Sequence, residues 1–468
     1  MEERRTKIVC TLGPASSSVP VLTRMINAGM NVARLNFSHG THKEHAQLIK
    51  HVRAAAKRSG RRVALLQDLQ GPKIRVGLLP DAGVTLRAGE QITLTSEQKS
   101  YAPHGVISVT YAQFHKDIKK GDRIFFDDGL IEAVCEGVRG KNIKVKVRVG
   151  GLLKSHKGMN LPDSMLSISA FTKKDQEDLL FGLDQGLDWI ALSFVTSAKE
   201  VDHVRRVIAM ECKTRKIVAP KIMVKIERKQ AVDHFTEILN AADGVMLARG
   251  DLGVEIPFEE VPMVQKEFVE ICRQTGKPIV VATHMMDSMT DNRRATRAEV
   301  SDVANAVIDH ADAVMLSQES AVGKYPVVAV QSMDLIIREA EKSRLDDISF
   351  LQLYDVVDIE TSVAQSLHVM AQNEQIDYIV TASTYDDMAT KLNIFRPNAP
   401  IVVACPNETL TRQMIMRAGV YPILLSDEPA TFIHRAQALL SRMKWITKQH
   451  RVAYVITTPS GEVQITIR

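Results

Sequence analysis

The sequence predicts a (β/α)8 barrel that carries a small inserted β-barrel domain and is followed by a C-terminal α/β domain. Three features lead to this prediction: eight short apolar segments alternate with helical patterns, the alternation is interrupted once, and a second α/β pattern begins after about residue 340. Near-continuous apolar strands that alternate with helices are typical of a parallel sheet buried on both faces. Eight such strands favour a closed barrel over the alternative, an open doubly wound sheet.

The eight apolar segments are the predicted barrel strands. They lie at residues 7–13, 31–38, 63–71, 189–194, 221–227, 244–249, 278–283 and 313–319. The polar or charged side chains at or just beyond their C-terminal ends are Asn36, Asp68, Ser193, Lys225, Glu227, Asp251, Thr283 and Glu319. The active site of such barrels lies at this face, and its residues come from these strand ends. We therefore expect the active site among these side chains.

The interruption falls between the third and fourth strands. Residues 72–168 lack helical periodicity and are rich in Val, Ile, Thr and Gly with turn signals, which predicts a small β-barrel domain inserted into a βα loop. An insertion at this place is expected to lie over the face of the barrel that carries the active site and to act as a lid. The predicted catalytic domain comprises residues 1–71 and 169–340, the inserted domain residues 72–168, and the C-terminal domain residues 341–468.

Composition and charge argue against several classes of protein. With 60 basic and 55 acidic residues, the net charge of +5 is too small to predict a nucleic-acid partner, and the basic residues are dispersed. The five cysteines lie far apart without a CxxC pair, which indicates reduced thiols rather than a disulfide framework or a zinc site. No segment reaches about 18 consecutive apolar residues, and the N-terminus does not resemble a secretory signal. We expect a cytoplasmic protein that does not bind membranes.

Lys225, Glu227 and Asp251 form the most informative group in the sequence. Lys225 and Glu227 are two residues apart, so on a strand they project from the same face, and Asp251 follows the next predicted strand on a Gly-flanked turn. Two carboxylates suit Mg²⁺, which keeps water or substrate oxygens in its remaining positions. A lysine beside the metal offsets charge on a transferring phosphoryl group and on an enolate oxygen. In the alternative interpretation, Glu227 only pairs with Lys225 or Arg228 at a strand end.

Phosphate binding has to rely on scattered cations in this chain. Neither the P-loop pattern GxxxxGK[ST] nor the pattern GxGxxG occurs in it. Arg34, Arg75 and Lys157 stand beside strand ends or Gly-containing motifs and are the candidates, although each taken alone resembles an ordinary solvated surface charge. Thr283 ends the seventh strand, where its hydroxyl either positions a water or relays a proton to an enolate carbon, or else caps the following helix.

Long motifs along the whole chain resemble those of the pyruvate kinase family. They are TKIVCTLGPAS, NVARLNFSHG, DLQGPKIR, HKGMNLP, VKIE, ARGDLGVEIP, VATHMMDSM, TRAEVSDVANAV and MLSQESAVGKYP. The resemblance implies a (β/α)8 catalytic domain, an inserted β-barrel domain, a C-terminal regulatory domain and usually a homotetramer. It also implies the glycolytic transfer of a phosphoryl group from phosphoenolpyruvate to ADP, which gives pyruvate and ATP.

The resemblance implies a role for each matching residue. Lys225 looks like the transition-state lysine, and Glu227 and Asp251 look like the ligands of Mg²⁺ or Mn²⁺. The backbone amides of Gly250 and Asp251, together with Thr283, resemble the cradle for the substrate carboxylate. The family's phosphate contacts match Arg34 for the substrate and Asn36, Ser38, His39, Arg75 and Lys157 for the nucleotide. The family's monovalent-cation site matches Asn36, Ser38, Asp68 and Leu69.

The chain departs from the family pattern in the DxxGPxIR motif. Members that require K⁺ typically read DTKGPEIR, whereas this chain reads DLQGPKIR, with Leu69, Gln70 and Lys73. A fixed ammonium at Lys73 supplies the positive charge that K⁺ otherwise brings, so we expect K⁺ to be dispensable. In the alternative interpretation, Lys73 only forms a surface ion pair.

Two further departures concern regulation and one active-site neighbour. Members activated by sugar phosphates carry a Ser/Thr-rich loop with Gly and Arg after the first strand of the C-terminal domain, whereas residues 382–387 here read ASTYDD. Two carboxylates repel a phosphate, and the tail after residue 456 is short, so we expect little or no activation by fructose 1,6-bisphosphate. His284 stands where glutamine is usual, and a neutral hydrogen-bonding substitute is the simplest interpretation.

Two other functions would be compatible with part of these residues. A Mg²⁺-dependent aldolase or lyase that acts on a pyruvate enolate can share a barrel and a Glu/Asp metal pair, but it does not need the inserted domain or the cations Arg75 and Lys157. A non-catalytic paralogue that only binds partners would not need Lys225, Glu227, Asp251 and Thr283, so the presence of all four argues against it.

Overall fold

The computed structural model describes residues 4–97, 101, 105–346, 358–383, 388–426, 431–457 and 462–468. It confirms the predicted fold class, because eight parallel strands form a closed barrel, a β-rich segment interrupts the barrel, and a second sheet follows it. Among the helices of these ranges, none is long and apolar enough to cross a membrane.

The chain begins with three barrel strands and two helices. These are β1 (Lys7–Thr11), α1 (Val19–Ala28), β2 (Val32–Asn36), α2 (His42–Ser59) and β3 (Ala64–Asp68), with a short 3₁₀ helix at Pro14–Ser16. Nearly every strand residue is buried, as expected for a sheet covered on both faces. Helix α2 begins at a capping box of Thr41 and Glu44 and ends at Gly60, which adopts the left-handed conformation at φ 65°.

The inserted segment forms two small sheets around its own hydrophobic cluster. Its elements are β4 (Val84–Leu86), β5 (Gln91–Thr95), β6 (Val106–Ser108), α3 (Phe114–Asp117), β7 (Arg123–Phe126), β8 (Ile131–Arg139), β9 (Asn142–Val149), β10 (Gly151–Leu153) and β11 (Met159–Asn160). Six strands pair in the order β11-β7-β8-β9-β5-β6, and β4 pairs with β10. The insertion therefore has a core of its own.

The remaining barrel strands alternate with helices. In chain order these elements are α4 (Lys173–Asp184), β12 (Trp189–Leu192), α5 (Ala198–Arg215), β13 (Lys221–Ile226), α6 (Lys229–Asp233), α7 (Phe235–Ala241), β14 (Gly244–Ala248), α8 (Arg249–Glu255), α9 (Val261–Gln274), β15 (Ile279–Ala282), α10 (Arg297–Ile308), β16 (Ala313–Leu316), α11 (Gln318–Ala321) and α12 (Pro326–Glu341). Short 3₁₀ helices lie at Asp287–Thr290 and Arg344–Asp346. The barrel closes in the order β1-β16-β15-β14-β13-β12-β3-β2, so β12 pairs with β3 across the insertion.

The C-terminal segment forms a five-stranded sheet with helices. Its elements are α13 (Ile359–Gln372), β17 (Tyr378–Ala382), α14 (Met388–Ile394), β18 (Ile401–Cys405), α15 (Glu408–Met414), β19 (Val420–Leu424), α16 (Phe432–Arg442), β20 (Val452–Thr457) and β21 (Val463–Ile467). The strand order is β19-β18-β17-β20-β21, and only the β20–β21 pair is antiparallel. Separate apolar clusters cover the two faces of this sheet.

Residues of the C-terminal segment close the barrel floor, by which we mean the N-terminal ends of the barrel strands. Ile415 and Met416 follow α15, and their side chains are 6% and 0% exposed. They belong to the same hydrophobic cluster as Met223 and Met246 of the barrel interior. The barrel core is therefore completed by side chains from another part of the chain.

Two buried carboxylates at the barrel floor also contact the C-terminal segment. Asp188 accepts hydrogen bonds from the Leu65 amide at 2.9 Å and from Nε of Arg412 at 2.8 Å. Asp312 accepts one from Nη2 of Arg396, also at 2.8 Å. Burial raises the pKa of Asp188 to about 6 even though Arg412 opposes the shift. Each carboxylate thus depends on an arginine from the C-terminal segment for its charge partner.

Candidate active site

Lys225 lies at the centre of the polar side chains at the C-terminal ends of the barrel strands. It is the penultimate residue of β13 and is only 9% exposed. Its Nζ lies 2.7 Å from Oε1 of Glu227 and 3.4 Å from Oδ1 of Asp68, and it donates a hydrogen bond to Oγ of Ser193 at 2.9 Å. Burial alone would lower the pKa of Lys225, but the carboxylates of Asp68 and Glu227 outweigh burial and raise it. The ammonium therefore stays charged at neutral pH.

Glu227 has one carboxylate oxygen against Lys225 and the other against the backbone. Its Oε2 accepts a hydrogen bond from the Phe194 amide at 2.7 Å, and the side chain is 1% exposed. Burial raises the pKa of Glu227. The positive charge of Lys225 opposes this shift, and repulsion from the Asp251 carboxylate adds to it. The carboxylates of Glu227 and Asp251 are thus close enough to repel each other, and a cation bound between them would relieve this repulsion.

The donor set at Glu227 and Asp251 fits a magnesium ion. Both residues offer hard carboxylate oxygens, which Mg²⁺ prefers. Asp251 lies in the first turn of α8, immediately after β14, and is partly exposed. Across the described ranges, no three His, Cys, Asp or Glu side chains are grouped to hold a metal ion. Two carboxylates therefore leave coordination positions for water or substrate oxygens, as Mg²⁺ sites commonly do.

Arg34 is held at the end of β2 by Asp68 and Thr11. Its Nε donates to Oδ2 of Asp68 at 2.7 Å, and its Nη1 donates to Oγ1 of Thr11, also at 2.7 Å. Burial would raise the pKa of Asp68, but Lys225 and Arg34 together lower it. Asp68 therefore stays ionised and fixes two cations, Arg34 and Lys225, on the same face of the barrel.

Thr283 and Gly250 meet beside this cluster. The Gly250 amide donates to Oγ1 of Thr283 at 2.6 Å. Thr283 and His284 both have positive φ angles, 68° and 55°, a conformation that is costly for a β-branched residue. The helix-cap interpretation of Thr283 is wrong, because the 3₁₀ helix that follows has Met286 at its N-cap.

Arg249 holds the strained Thr283 turn in place. Its Nη2 donates to the Thr283 carbonyl at 3.0 Å, and its guanidinium forms a two-pronged ion pair with Asp302 of α10, with both distances 2.6 Å. Arg249 is not among the site residues that the sequence predicts. Its position in the ARGD stretch, directly after a strand, could have indicated a role in the site. Its partner Asp302 lies too far along the chain to be predicted from residue spacing.

The candidate nucleotide residues fall into two separate groups. Asn36 is the last residue of β2, and Ser38 and His39 lie on the connection to α2; Oδ1 of Asn36 accepts a hydrogen bond from the Ser38 amide at 3.1 Å. In the insertion, Nη1 of Arg75 donates to the His156 carbonyl at 2.8 Å, and Lys157 pairs with Asp127 at 2.6 Å. In the part of the chain that the structure describes, no hydrogen bond or ion pair joins the two groups.

The candidate monovalent-cation residues lie at the ends of β2 and β3, but Lys73 lies further out. Asn36 is in register with Asp68, and the Leu69 carbonyl accepts a hydrogen bond from Oγ of Ser193 at 2.7 Å. Lys73 is exposed, and its Cε lies 3.6 Å from the position that a Cβ on Gly158 would occupy. Its side chain thus runs along the insertion rather than into the cluster around Asp68.

Comparisons by sequence and by overall structure find one family of known proteins. Residues 3–330 match the family model described as pyruvate kinase, barrel domain, and residues 361–466 match the one described as pyruvate kinase, alpha/beta domain. The pyruvate kinase of Geobacillus stearothermophilus is 43% identical over 90% of this chain and 71% of its own length, and that of Corynebacterium glutamicum is 40% identical over 98% and 95%. A crystal structure of a pyruvate kinase from Cryptosporidium parvum superposes with a TM-score of 0.92 at 32% identity, covering 99% of this chain and 96% of that one.

Proposed function

The chain belongs to the pyruvate kinase family, and from that premise we propose that its reaction takes place around Lys225. It is an enzyme that transfers a phosphoryl group from phosphoenolpyruvate to ADP and gives pyruvate and ATP. One observation carries the assignment of the site: a buried, charged ammonium lies 2.7 Å from a buried carboxylate at the end of a barrel strand. This arrangement suits a reaction in which negative charge moves between a phosphoryl group and an enolate.

We propose that Glu227 and Asp251 hold Mg²⁺ or Mn²⁺. A bound divalent ion supplies positive charge to the phosphoryl and enolate oxygens. The ammonium of Lys225 acts beside it, because its raised pKa keeps it protonated while the enolate oxygen develops charge. Both cationic groups are then in place before the reaction, so little reorganisation is needed during the transfer.

The remaining substrate contacts follow from the same cluster. We propose that Arg34, which Asp68 and Thr11 hold in place, binds the substrate phosphate. The backbone amides of Gly250 and Asp251, with the hydroxyl of Thr283, bind the substrate carboxylate, which displaces the hydrogen bond that Gly250 now makes to Thr283. The Thr283 hydroxyl then positions a water or relays the proton that converts the enolate to pyruvate.

The nucleotide is proposed to lie between the barrel and the insertion. Asn36, Ser38 and His39 contact its phosphates from the barrel, and Arg75 and Lys157 contact them from the inserted segment. Because no hydrogen bond or ion pair joins these two groups within the described ranges, we propose that the insertion, residues 72–168, closes as a lid when substrates bind. The catalytic domain is then residues 1–71 and 169–340, and the C-terminal domain is residues 341–468.

A coupled assay of pyruvate formation separates this function from its rivals. Pyruvate is expected from phosphoenolpyruvate only when ADP and Mg²⁺ are both present. A lyase or aldolase that acts on a pyruvate enolate does not need ADP, and a non-catalytic paralogue gives no pyruvate under any condition. Absence of pyruvate in the complete mixture would overturn the assignment.

We predict that the activity does not require K⁺. The ammonium of Lys73 stands where family members that require K⁺ carry a carboxylate, and closure of the insertion is proposed to bring it towards the Asp68 cluster. The rate is therefore expected to stay the same when tetramethylammonium replaces KCl at equal ionic strength. The matched variant is Lys73→Glu, which is expected to make the rate depend on K⁺. Strong activation of the parent enzyme by KCl would contradict the prediction.

We also predict little or no activation by fructose 1,6-bisphosphate. The prediction rests on the two carboxylates of the loop that begins at Ala382, of which residues 384–387 lie outside the described residues. The half-saturation concentration of phosphoenolpyruvate is the quantity to measure, with and without the sugar phosphate. A large fall in that concentration would refute the prediction.

A homotetramer in the cytoplasm is the proposed working form. All five cysteines are buried and none forms a disulfide, which fits a reducing compartment. Light scattering during gel filtration is expected to give about four times the 52.0 kDa mass of one chain. A monomeric mass for the fully active enzyme would rule out the tetramer.

A further inference from the structure

The loop between β2 and α2 is short, and three of its five residues are exposed. We call residues 37–41 the β2–α2 loop, because Asn36 ends β2 and His42 begins α2. Under the proposed function, this loop carries Ser38 and His39 to the nucleotide phosphates. Because so much of it is exposed, apolar burial contributes little to holding it in one conformation. Other contacts have to fix the positions of Ser38 and His39.

The Phe37 carbonyl is held by a lysine of α4. Nζ of Lys174 donates to this carbonyl at 2.9 Å. The same Nζ donates to Oδ2 of Asp178 at 2.6 Å, one turn further along α4, and Asp178 is only 3% exposed. Because Asp178 fixes the ammonium, Lys174 ties the first carbonyl of the β2–α2 loop to α4.

The Asp178 carboxylate also joins α4 to the start of α2. Its Oδ1 lies 2.6 Å from Nε2 of His42, the first residue of α2. The His42 ring stacks on that of Phe181 in α4, with the ring centroids 4.4 Å apart. Both ends of the β2–α2 loop are thus anchored to the same helix, at Phe37 through Lys174 and at His42 directly.

The His39 carbonyl is held by His45 of α2. Nε2 of His45 lies 2.9 Å from this carbonyl oxygen, and since a carbonyl can only accept, Nε2 carries the proton and donates. The His45 ring is buried, stacks on Phe37 with the centroids 4.0 Å apart, and has an Nδ1 without a hydrogen-bond partner among the described residues. Burial lowers the pKa of His45, so the imidazole is neutral at neutral pH. Its single N–H group is therefore used on the β2–α2 loop.

Gly40 allows the chain to turn close to His45. Its φ angle is 77°, in the left-handed region that glycine adopts without strain. A Cβ at this position would lie 3.3 Å from Nε2 of His45. A side chain on residue 40 would therefore crowd the atom that donates to the His39 carbonyl.

We propose that Lys174 and His45 are positioning residues for the nucleotide, which act by holding the Phe37 and His39 carbonyls. The inference rests on the proposed nucleotide site. Neither side chain is placed against the substrates, and both act through the backbone of the β2–α2 loop. The two carbonyls flank the peptide unit that joins Ser38 to His39, so both residues are held in one conformation before the nucleotide arrives. A loop that is fixed in advance loses less conformational freedom on binding, which favours affinity.

Three variants test the proposal in the coupled assay of pyruvate formation. Lys174→Met removes the ammonium, and His45→Phe keeps a ring that can stack on Phe37 but removes the N–H donor. Each is expected to raise the KM for ADP at least about fivefold, while kcat and the KM for phosphoenolpyruvate stay within about twofold of the parent. Lys173→Met is the matched control, because Lys173 is adjacent and exposed but donates to neither carbonyl, so both KM values should match the parent.

Binding of ADP in the presence of Mg²⁺, measured by isothermal titration calorimetry, gives the same comparison without turnover. Lys174→Arg keeps a charged donor and is expected to bind ADP within about threefold of the parent, which a general loss of packing would not allow. Circular dichroism shows which variants are folded, and because the two residues hold different carbonyls, a folding defect in one leaves the other to decide.

Two results would overturn the proposal. The first is ADP binding equal to that of the parent in folded Lys174→Met and His45→Phe enzymes. The second is an equal loss of affinity for ADP and for phosphoenolpyruvate. A parent enzyme that forms no pyruvate would refute the proposed function and this inference with it, whereas an active parent with unchanged variants would refute the inference alone.

Discussion

Replacing Lys225 with methionine lowers kcat for pyruvate formation by about 10³-fold or more. Methionine keeps the approximate length of the side chain but removes the ammonium that contacts Glu227, Asp68 and Ser193. The developing charge on the phosphoryl and enolate oxygens then loses its fixed partner in a buried site. The KM for ADP is expected to change little, because the residues proposed to bind the nucleotide lie on other elements.

Lys229→Met is the matched control for this variant. Lys229 lies four residues further along the chain, is exposed and pairs with Asp233 at 3.0 Å. The same substitution there should leave kcat within about twofold of the parent, as expected for a surface pair. Circular dichroism and thermal melting show whether the Lys225→Met chain is folded. A folded Lys225→Met enzyme that keeps a tenth or more of the parent kcat would contradict the proposed role.

Replacing Glu227 with glutamine weakens divalent-cation binding at least about tenfold and lowers kcat with it. The substitution keeps the shape and the hydrogen bond from the Phe194 amide but removes one of the two carboxylates proposed to hold the ion. Binding of Mn²⁺ to the free enzyme, followed by electron paramagnetic resonance, measures this loss independently of turnover. Because the raised pKa of Glu227 lets it retain its proton more readily, Mn²⁺ binding by the parent is expected to strengthen as pH rises.

Glu319→Gln provides the comparison for the metal-site variant. Glu319 is also buried, in the short helix α11 that follows β16, but its oxygens accept hydrogen bonds from the backbone amides of Met286 and Ser317, at 3.1 and 2.7 Å. It is not among the proposed metal ligands, so Mn²⁺ binding should match that of the parent. Equal loss of Mn²⁺ affinity in Glu319→Gln and Glu227→Gln would remove the support for a specific pair at Glu227 and Asp251.

The centre of the site could be predicted because its residues follow local rules. Lys225 and Glu227 share a face through the two-residue period of a strand, and Asp251 directly follows the next strand. The C-terminal ends of the parallel strands all lie at one end of the barrel, so side chains from different strand ends come together there. Predicting this requires no knowledge of contacts between distant segments. The barrel itself was predictable for the same reason, since each strand is a short apolar run.

The parts that could not be predicted depend on contacts between distant segments. Nothing near Arg249 in the sequence indicates Asp302 as its partner, and the strain at Thr283 is visible only in the backbone angles. The position of Lys73 depends on how the insertion is oriented relative to the barrel, which no local pattern encodes. Ile415 and Met416 likewise resemble ordinary residues near the end of a helix.

The closure of the barrel floor by Ile415 and Met416 has a consequence for biosynthesis. Ribosomes make chains from the N-terminus at about 5–20 residues per second. The last barrel strand, β16, is thus complete several seconds before these two side chains and the arginine partners of Asp188 and Asp312 leave the ribosome. During that interval the nascent barrel has an open apolar end and two uncompensated acids. The C-terminal segment, which is translated last, therefore completes the interior of the barrel, which is translated first.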